Sequence, residues 1–225
     1  MSLPTLGFVV PVLDEAEGIT SLLEYLGDHF PGVARIVVDG GSSDDTVAKA
    51  MRCSEQLLIA EPGRARQMNL GAAGIEADYL VFLHADTLPQ FALTFMQQQL
   101  QSRPAWGFCP LQLSGDHWLL RWVERGINWR SGATGVATGD QMLFVRRDLF
   151  QTQGGFADQP LMEDVELCKR LRRVSPPHIL GKTVLTSSRR WEQRGIVRTI
   201  VQMWCLRLAY RLGVSPRRLW RAYYG

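Results

Sequence analysis

The chain lacks several features that would assign it to a familiar class directly. Its four cysteines, Cys53, Cys109, Cys168 and Cys205, form no C-x-x-C pair and have no histidine at metal-ligand spacing, which argues against a zinc site or a disulfide framework. We therefore expect reduced thiols in a cytoplasmic protein. No basic leader precedes the first apolar run, residues 6–12, and this run is too short for a signal peptide. We expect no secretion.

Glycine-rich nucleotide motifs are also missing. A dinucleotide-binding fold would show G-x-G-x-x-G after the first predicted strand, but VPVLDEAEG stands there instead, and no phosphate-binding P-loop occurs. We see no internal repeat and no low-complexity segment. A nucleotide site in this chain would have to use other groups than a glycine loop.

No apolar run near the C-terminus is uninterrupted enough to cross a membrane. The pattern there is helical, but Arg198, Gln202, Arg207 and Arg211 interrupt it. At about 100° per residue, the first two lie on one side and the last two on nearly the opposite side. Such a helix either breaks near Trp204 or meets different surfaces with its two halves.

Lysine is absent from residues 189–225. This segment carries nine arginines and one acid, Glu192, for a net charge of about +8, whereas the whole chain has only +3. The first 188 residues therefore sum to about −5. A basic tail behind an acidic body favours an anionic partner, either phosphate groups on a substrate or an anionic membrane surface. Nucleic acid is the weaker alternative because no recognised motif accompanies the charge.

The first half of the chain alternates between strand and helix patterns. At 225 residues the chain suits one large domain or two small ones. Short, almost continuous apolar runs predict buried strands, and a helical pattern follows each of them. Four such units in succession predict a parallel sheet with helices on both faces. The predicted strands are residues 6–12, 35–39, 56–60 and 79–83.

The second half is less regular. We predict helices over residues 89–102, 117–130 and 162–173, and strands over residues 106–113, 139–146 and 178–186. The helix over 117–130 carries Trp118, Trp122 and Trp129. We favour core packing for these rings over a surface that stacks on sugars or contacts a lipid acceptor.

Four acidic clusters follow predicted strands or open a late helix. They are Asp14 with Glu15, Asp39 with Asp44 and Asp45, Asp86, and Glu163 with Asp164. In open α/β sheets, ligands bind beyond the carboxyl ends of the strands. The pattern therefore predicts a site that binds a nucleotide through carboxylates and a divalent ion.

The carboxylate of Asp86 has a second interpretation. It ends the buried run YLVFLHAD, and the following segment to Pro89 is typical of a helix start. Asp86 is then either a site residue or only the cap of a helix that begins near Pro89.

Six motifs extend over residues 6–192 in a fixed order: VVPVLDEAEGI, VVDGGSSDDT, GRARQMNLG, FLHADT, MEDVELCKRL and SSRRW. Together they resemble the family 2 glycosyltransferases, closest to small single-domain bacterial members often found near radical-SAM genes. The resemblance implies the GT-A fold, a Rossmann-like, mostly parallel central sheet flanked by helices. It implies inverting transfer of a sugar from a nucleotide-diphosphate donor to an acceptor hydroxyl.

The same resemblance divides the chain and assigns the site. Residues 1–192 form the transferase domain, with a nucleotide-binding part at about 1–103 and an acceptor part at about 104–192, and residues 193–225 form the basic helical tail. Asp164 falls on the position of the catalytic base, Glu163 lies beside it, and Asp86 would bind Mg²⁺ or Mn²⁺. The residues implied to bind substrate are Pro11, Leu13, Glu15, Asp39, Gly40, Arg64, Asn69, His84, Ala85, Asp86, Asp140, Arg189, Arg190 and Trp191.

Two positions depart from the family pattern. Most members carry Asp-x-Asp at the metal turn, where this chain has His84, Ala85 and Asp86. His84 either supplies a nitrogen ligand or faces the sheet, and we favour the second. Thr186, Ser187 and Ser188 stand where a glutamine is expected before the arginines, which argues against a processive synthase.

Other functions stay open at this point. A degenerate transferase that only binds a nucleotide sugar is one, since the first metal-turn aspartate is missing. A sugar nucleotidyltransferase is less favoured, because a glycine-rich, lysine-containing loop should then follow the first strand. The acceptor is a saccharide, a lipid or a small molecule, and both a peripheral membrane contact through the tail and a homo-oligomer are open.

Overall fold

The computed structural model describes residues 3–224, which form ten strands and ten helices. The strands are β1 (Leu6–Val12), β2 (Ala34–Asp39), β3 (Gln56–Ile59), β4 (Tyr79–Phe82), β5 (Thr87–Pro89), β6 (Trp106–Phe108), β7 (Leu111–Leu113), β8 (Leu143–Arg146), β9 (His178–Ile179) and β10 (Val184–Thr186). The helices are α1 (Ile19–His29), α2 (Thr46–Cys53), α3 (Arg64–Ala73), α4 (Leu93–Leu100), α5 (Trp118–Thr134), α6 (Arg147–Thr152), α7 (Glu163–Leu171), α8 (Arg189–Arg194), α9 (Ile196–Arg211) and α10 (Pro216–Tyr224).

A seven-stranded sheet forms the centre of the molecule, in the order β3-β2-β1-β4-β8-β6-β9. All its strand pairs are parallel except those that involve β8, which runs antiparallel to β4 and β6. All seven residues of β1 and all four of β4 are buried, as expected for strands covered on both faces. The prediction of a mostly parallel α/β fold is confirmed.

Helices cover both faces of this sheet. On one face Phe8, Val10 and Val81 pack in a cluster with apolar residues of α1 and α5. On the other face Val9, Leu80 and Phe82 pack with apolar residues of α3 and α7, and with Leu206 and Leu219 of the C-terminal helices. The C-terminal helices therefore contribute to the core of the transferase-like domain.

Three predicted elements are divided in the structure. The strand predicted over residues 106–113 becomes β6 and β7, which belong to different sheets, and the one over residues 178–186 becomes β9 and β10 in the same way. Residues 139–146 form a 3₁₀ turn, Gly139–Gln141, and then β8. These divisions build a second sheet, β5-β10-β7.

The helix predicted from residue 89 begins later. Thr87–Pro89 pair with β10 as the short strand β5, and α4 begins only at Leu93. Pro89 lies in β5, a strand at the edge of its sheet, where proline is tolerated. Asp86 is therefore not the cap of this helix, and that interpretation was wrong.

Two expectations about helices are also settled. Helix α9 continues through Trp204 without a break, and its two halves meet different surroundings, since Ile200 packs on one core cluster and Leu206 on the other. Trp118, Trp122 and Trp129 are exposed, so core packing was the wrong interpretation for them. Within residues 3–224 no helix is both long and apolar enough to cross a bilayer.

Candidate active site

The loops after β1 and β2 are joined by their own acidic residues. The Asp39 carboxylate, at the end of β2, accepts hydrogen bonds from the N–H groups of Gly41 (2.8 Å) and Ser42 (3.0 Å). Asp14 accepts from the N–H of Ser43 at 2.8 Å. Asp39 is buried, and both of its oxygens already contact the loop. The Asp39 carboxylate, which the resemblance implies to bind substrate, is thus engaged by its own loop.

Gln67 of α3 is a residue that the sequence did not single out. Its buried amide donates to the carbonyl oxygens of Val12 (2.8 Å) and Val38 (2.9 Å), near the ends of two adjacent strands. A Cβ on Gly40 would lie 2.8 Å from the Gln67 side chain. Gly40 is therefore required by packing against Gln67. Since Arg64, Arg66 and Asn69 make the surrounding sequence polar as well, no local signal singles out Gln67.

Asp86 stands on an exposed turn between β4 and β5. Its Oδ1 accepts a long hydrogen bond from the Thr87 hydroxyl at 3.3 Å, and its carbonyl oxygen accepts from the N–H of Ser187 at 3.0 Å. The second contact holds the turn against the segment that leads into α8. The arginines of α8 thereby lie beside the turn.

A cleft of about 370 Å³ lies between this turn, the β1–α1 loop and α8. Arg189 reaches across it to Glu15 (3.5 Å) and Glu17 (3.3 Å). Burial and the Asp86 charge raise the pKa of Glu15, whereas Arg189, Arg190 and Arg64 oppose the rise. The cleft thus brings together carboxylates and guanidinium groups from three separate parts of the sequence. Its lining residues are Glu15, Glu17, Asp86, Ser187, Arg189, Arg190, Gln193 and Arg194.

The acidic pair opens helix α7. Met162, which precedes it, has a left-handed backbone with φ of +66°, and Glu163 and Asp164 form the first turn. Asp164 accepts hydrogen bonds from the N–H groups of Gly139 (2.8 Å) and Val165 (2.6 Å). Burial raises the pKa of Asp164, although these two N–H groups oppose the rise. Burial and the neighbouring Asp164 charge raise the pKa of Glu163 to about 7.

His84 lies near both halves of the candidate site, which are the arginine-lined cleft at Asp86 and the acidic pair of α7. A Cβ on Gly139 would approach its Nε2 to 2.3 Å, so the ring packs against the 3₁₀ turn that also binds Asp164. Burial, followed by the charges of Arg64 and Arg190, holds the pKa of His84 well below its usual range. His84 is neutral at physiological pH. Within the described residues its Nε2 has no hydrogen-bond partner.

Two arginines that the sequence did not mark lie near Asp164. Arg130 of α5 and Arg207 of α9 are largely buried, and burial lowers the pKa of both, that of Arg130 to about 10. The charges of Asp140 and Asp164 oppose this effect in both cases. Asp140 belongs to the 3₁₀ turn, so charges of both signs lie near the start of α7. No local motif in the sequence points to these long-range partners.

The other predicted site residues are placed in different ways. Asn69 donates to the carbonyl of Phe156 (2.8 Å) and accepts from its N–H (2.9 Å), so both amide atoms hold the turn before α7. Trp191 is partly buried against the core. Pro11 and Ala85 are buried, and Leu13 and Arg64 are exposed.

Arg64 influences the pKa of Glu15, His84 and Glu163, so it lies near both halves of the site.

A larger cavity, of about 430 Å³, lies at the opposite end of β4. It is lined by residues at the start of that strand, including Asp78 and Tyr79, and by Arg103, Arg146 and Arg147. Ligands of open α/β sheets bind at the carboxyl ends of the strands. We therefore place the candidate site at the smaller cleft.

The raised pKa of Glu163 makes the stability of the protein depend on pH. Since this pKa is about 7 in the folded protein against an ordinary 4.5, the folded state keeps a proton that the unfolded chain loses. Stability should fall as pH rises from about 4.5 to about 7, and stay lowered above that range. Glu163→Gln should raise the free energy of unfolding at pH 8 by roughly 1–3 kcal/mol and have less effect at pH 4.5.

Urea unfolding of the two proteins across this pH range measures the effect. Glu76→Gln is the matched control, because Glu76 is exposed and lies outside the acidic pair. Parallel stability profiles for wild type and Glu163→Gln would contradict the prediction.

No protein-family model and no curated protein matches the chain. Several solved structures, in contrast, are similar to it. Residues 1–349 of TarS from S. aureus, in complex with UDP, are similar with a TM-score of 0.67 at 17% identity, over 81% of this chain and 60% of that one. Mannosyltransferase PcManGT from Pyrobaculum calidifontis, in complex with GDP-Man and Mn²⁺, gives 0.66 at 19% identity, over 94% and 63%. Glucosyl-3-phosphoglycerate synthase from Mycobacterium tuberculosis, with Mn²⁺, UDP and glucosyl-3-phosphoglycerate, gives 0.57 at 19%, over 82% and 70%.

The chain spans about 60% of the length of the TarS fragment and 63% of the mannosyltransferase. At these identities the likeness concerns the fold. The chain has the fold of the GT-A glycosyltransferases.

Proposed function

We propose that the protein is an inverting glycosyltransferase that moves a sugar from a nucleotide-diphosphate donor to an acceptor hydroxyl. The observation that carries this proposal is that Arg64 acts both on Glu15, in the arginine-lined cleft at Asp86, and on Glu163, in the buried acidic pair of α7. The GT-A fold and the nucleotide sugars bound by its structural neighbours support the same function.

The cleft suits the diphosphate of the donor. Charge builds on the leaving diphosphate during transfer, and positioned guanidinium groups stabilise such charge. Arg189 and Arg190 line the cleft, and Arg64 lies close enough to influence Glu15. The loop that Asp39 holds would receive the base of the nucleotide.

A divalent metal ion fits the groups at this cleft. Asp86 is exposed and only weakly engaged by Thr87, and Glu15 lies close enough for its pKa to rise through the Asp86 charge. Mg²⁺ is usually held by one or two carboxylates together with phosphate oxygens. We propose that Asp86 holds Mg²⁺ or Mn²⁺ with the donor phosphates and that Glu15 lies beside it. When bound, the ion would stabilise negative charge on the departing diphosphate.

We assign the acceptor side of the reaction to Asp164. The Gly139 and Val165 N–H groups fix its carboxylate, and Gly139 also packs against His84. Its raised pKa makes it a better proton acceptor than an exposed aspartate. An in-line attack by the acceptor hydroxyl, with Asp164 as base, would invert the anomeric centre. Glu163 would orient the site.

A non-catalytic nucleotide-sugar module is the second candidate. The observation that favours it is the single carboxylate at the metal turn. In residues 3–224, no group of three His, Cys, Asp or Glu side chains could hold a metal ion. Such a protein would bind donor and metal weakly and would not turn over.

Nucleotide binding should be visible as a thermal shift. Saturation at about 100 times Kd with UDP or GDP and Mn²⁺ should stabilise the protein by about 2.7 kcal/mol, which corresponds to roughly 5–10 °C in Tm at this size. Arg189→Gln should reduce the shift, and Arg52→Gln, on the exposed side of α2, should not. No shift with any nucleotide diphosphate would contradict the proposal.

Hydrolysis separates the two candidates. A transferase should slowly release free sugar from its nucleotide sugar when Mn²⁺ is present and acceptor is absent. A binding module should show the thermal shift without hydrolysis.

Three further predictions stay predictions: the cytoplasmic location, the radical-SAM gene neighbourhood and a homo-oligomer. The acceptor stays a saccharide, a lipid or a small molecule.

A further inference from the structure

Helix α5 presents a face of aromatic residues to solvent. Trp118, Trp122 and Trp129 are 65%, 63% and 76% exposed. Together with Arg125 they fall within about 60° of one another around the helix. The opposite side packs inward through Leu120 and Val123. The three exposed tryptophans therefore lie on the same face of α5.

Helix α9 has a matching stripe. Val197, Val201, Trp204, Leu208 and Leu212 are exposed, Trp204 by 75%. At about 100° per residue they fall within about 80° of one another. Leu212 directly follows the last residue of the helix. The apolar stripe therefore runs along the whole length of α9.

The two helices contact each other. We call the three tryptophans of α5 and the stripe of α9 the tryptophan face. Exposed apolar residues on two helices that contact each other are typical of an interaction site. Tryptophan is typical of surfaces where one side is apolar and the other is wet, such as the interface of a bilayer.

Arginines border the tryptophan face. The Arg125 guanidinium lies 5.5 Å from the centre of the Trp122 ring, and Arg198 and Arg211 are exposed on the two flanks of the α9 stripe. Residues 189–225 carry nine arginines and one acid. We propose that the tryptophan face binds the surface of an anionic phospholipid bilayer. The rings would enter the headgroup region while the arginines contact lipid phosphates.

Charge argues for a bilayer over a second copy of this chain. A two-fold dimer through the face would bring the same surface of both subunits together. The bordering arginines Arg125, Arg198 and Arg211 would then be brought toward those of the second copy. An anionic headgroup layer supplies the missing charge, so it complements both the apolar stripe and its border.

The bilayer would also lie close to the candidate site. Arg207, on the inward side of α9, influences the pKa of Asp164, while Trp204 and Leu208 point outward from the same helix. Binding would hold the acceptor half of the site near the membrane. The proposal does not require the proposed catalytic activity, because it rests on the exposed surface alone.

Cosedimentation with vesicles tests the proposal. The full chain should bind vesicles of phosphatidylcholine with about one third phosphatidylglycerol more strongly than vesicles of phosphatidylcholine alone. Trp122→Ser with Trp204→Ser should lower the partition coefficient about tenfold or more. Arg198→Gln with Arg211→Gln should also lower it about tenfold, with a weaker dependence on salt. Met51→Ser with Arg52→Gln, a similarly exposed pair on α2, should change nothing.

Two further measurements separate the outcomes. Nucleotide thermal shifts should be the same in the tryptophan double variant and the wild type, so a failure of the proposed function and a failure of this proposal give different results. In the absence of lipid, sedimentation velocity should give the same oligomeric state for the wild type and the tryptophan double variant. A dimer that these substitutions dissociate would overturn the proposal in favour of a second copy. Vesicle binding that the tryptophan variant retains in full would overturn it as well.

Discussion

Asp164→Asn should lower the turnover of glycosyl transfer by about 10²–10⁴-fold while leaving donor affinity almost unchanged. The substitution keeps the size of the side chain and its capacity to accept the Gly139 hydrogen bond, but it removes basicity. Asp164 does not line the arginine cleft, and the arginine whose charge acts on it is Arg207 of α9. Steady-state turnover and the nucleotide thermal shift, measured on the same protein, separate the two effects.

Glu163→Gln is the matched control for this prediction. Glu163 is the adjacent residue and also buried, but it points about 100° around the helix from Asp164. If it only orients the site, its substitution should lower turnover much less than Asp164→Asn does. Full activity in Asp164→Asn would remove the base from the mechanism. Loss of nucleotide binding in that variant would place the residue on the donor side instead.

The pH dependence of turnover offers a second check on Asp164. Because burial raises its pKa above the ordinary 3.8, the carboxylate becomes available as a base only at higher pH than an exposed aspartate would. Turnover should therefore rise with pH through the raised pKa and then reach a plateau. Asp164→Asn should lose this rise.

The central sheet was predictable because its strands are continuous apolar runs. β1 and β4 are buried on both faces, so their sequences carry almost no polar residue and leave little ambiguity about strand or helix. The strands of the second sheet have only three residues each. Such segments are too short to show a period. Their pairing depends on where the chain turns at Pro110 and Gly181, which periodicity does not reveal.

The faces of the helices were harder to predict. Trp118, Trp122 and Trp129 recur at a helical spacing that is the same for an inward and an outward stripe. Leu120 and Val123 form a second stripe on the other side of α5. Only packing against the sheet decides which stripe is buried. The sequence therefore identified the helix and assigned its tryptophans to the wrong face.

The sequence motifs point to the acidic residues of the candidate site but not to the groups that surround them. The motifs named Asp39, Asp86, Glu163 and Asp164, each beside a strand end or a helix start. The groups around these residues come from distant parts of the sequence. Gln67 donates to the carbonyl oxygens of Val12 and Val38, and the charge of Arg207 acts on Asp164. Asn69 shows the reverse case, since its motif implied a substrate contact and its amide is engaged by Phe156. Long-range hydrogen bonds of this kind have no local signature.

Asp86→Ala should abolish the part of the nucleotide thermal shift that depends on Mn²⁺ and should lower transfer by about 10²–10³-fold. Asp86 supplies the one exposed carboxylate at the turn, and the removal of its charge would leave the diphosphate with arginines alone. The protein without ligand should keep its Tm, because the side chain makes only the long contact with Thr87. Thermal shifts with and without Mn²⁺ measure both effects.

Two controls make the Asp86 result specific. Asp45→Ala removes an exposed carboxylate at the start of α2, where it makes no side-chain cap, and should leave the metal effect intact. His84→Ala tests the nitrogen ligand that the family comparison left open. Since the Nε2 of His84 packs against Gly139, its substitution should alter the position of Asp164 and lower turnover, while the Mn²⁺-dependent shift persists. A metal effect that survives Asp86→Ala and disappears in His84→Ala would move the metal from the carboxylate to the histidine.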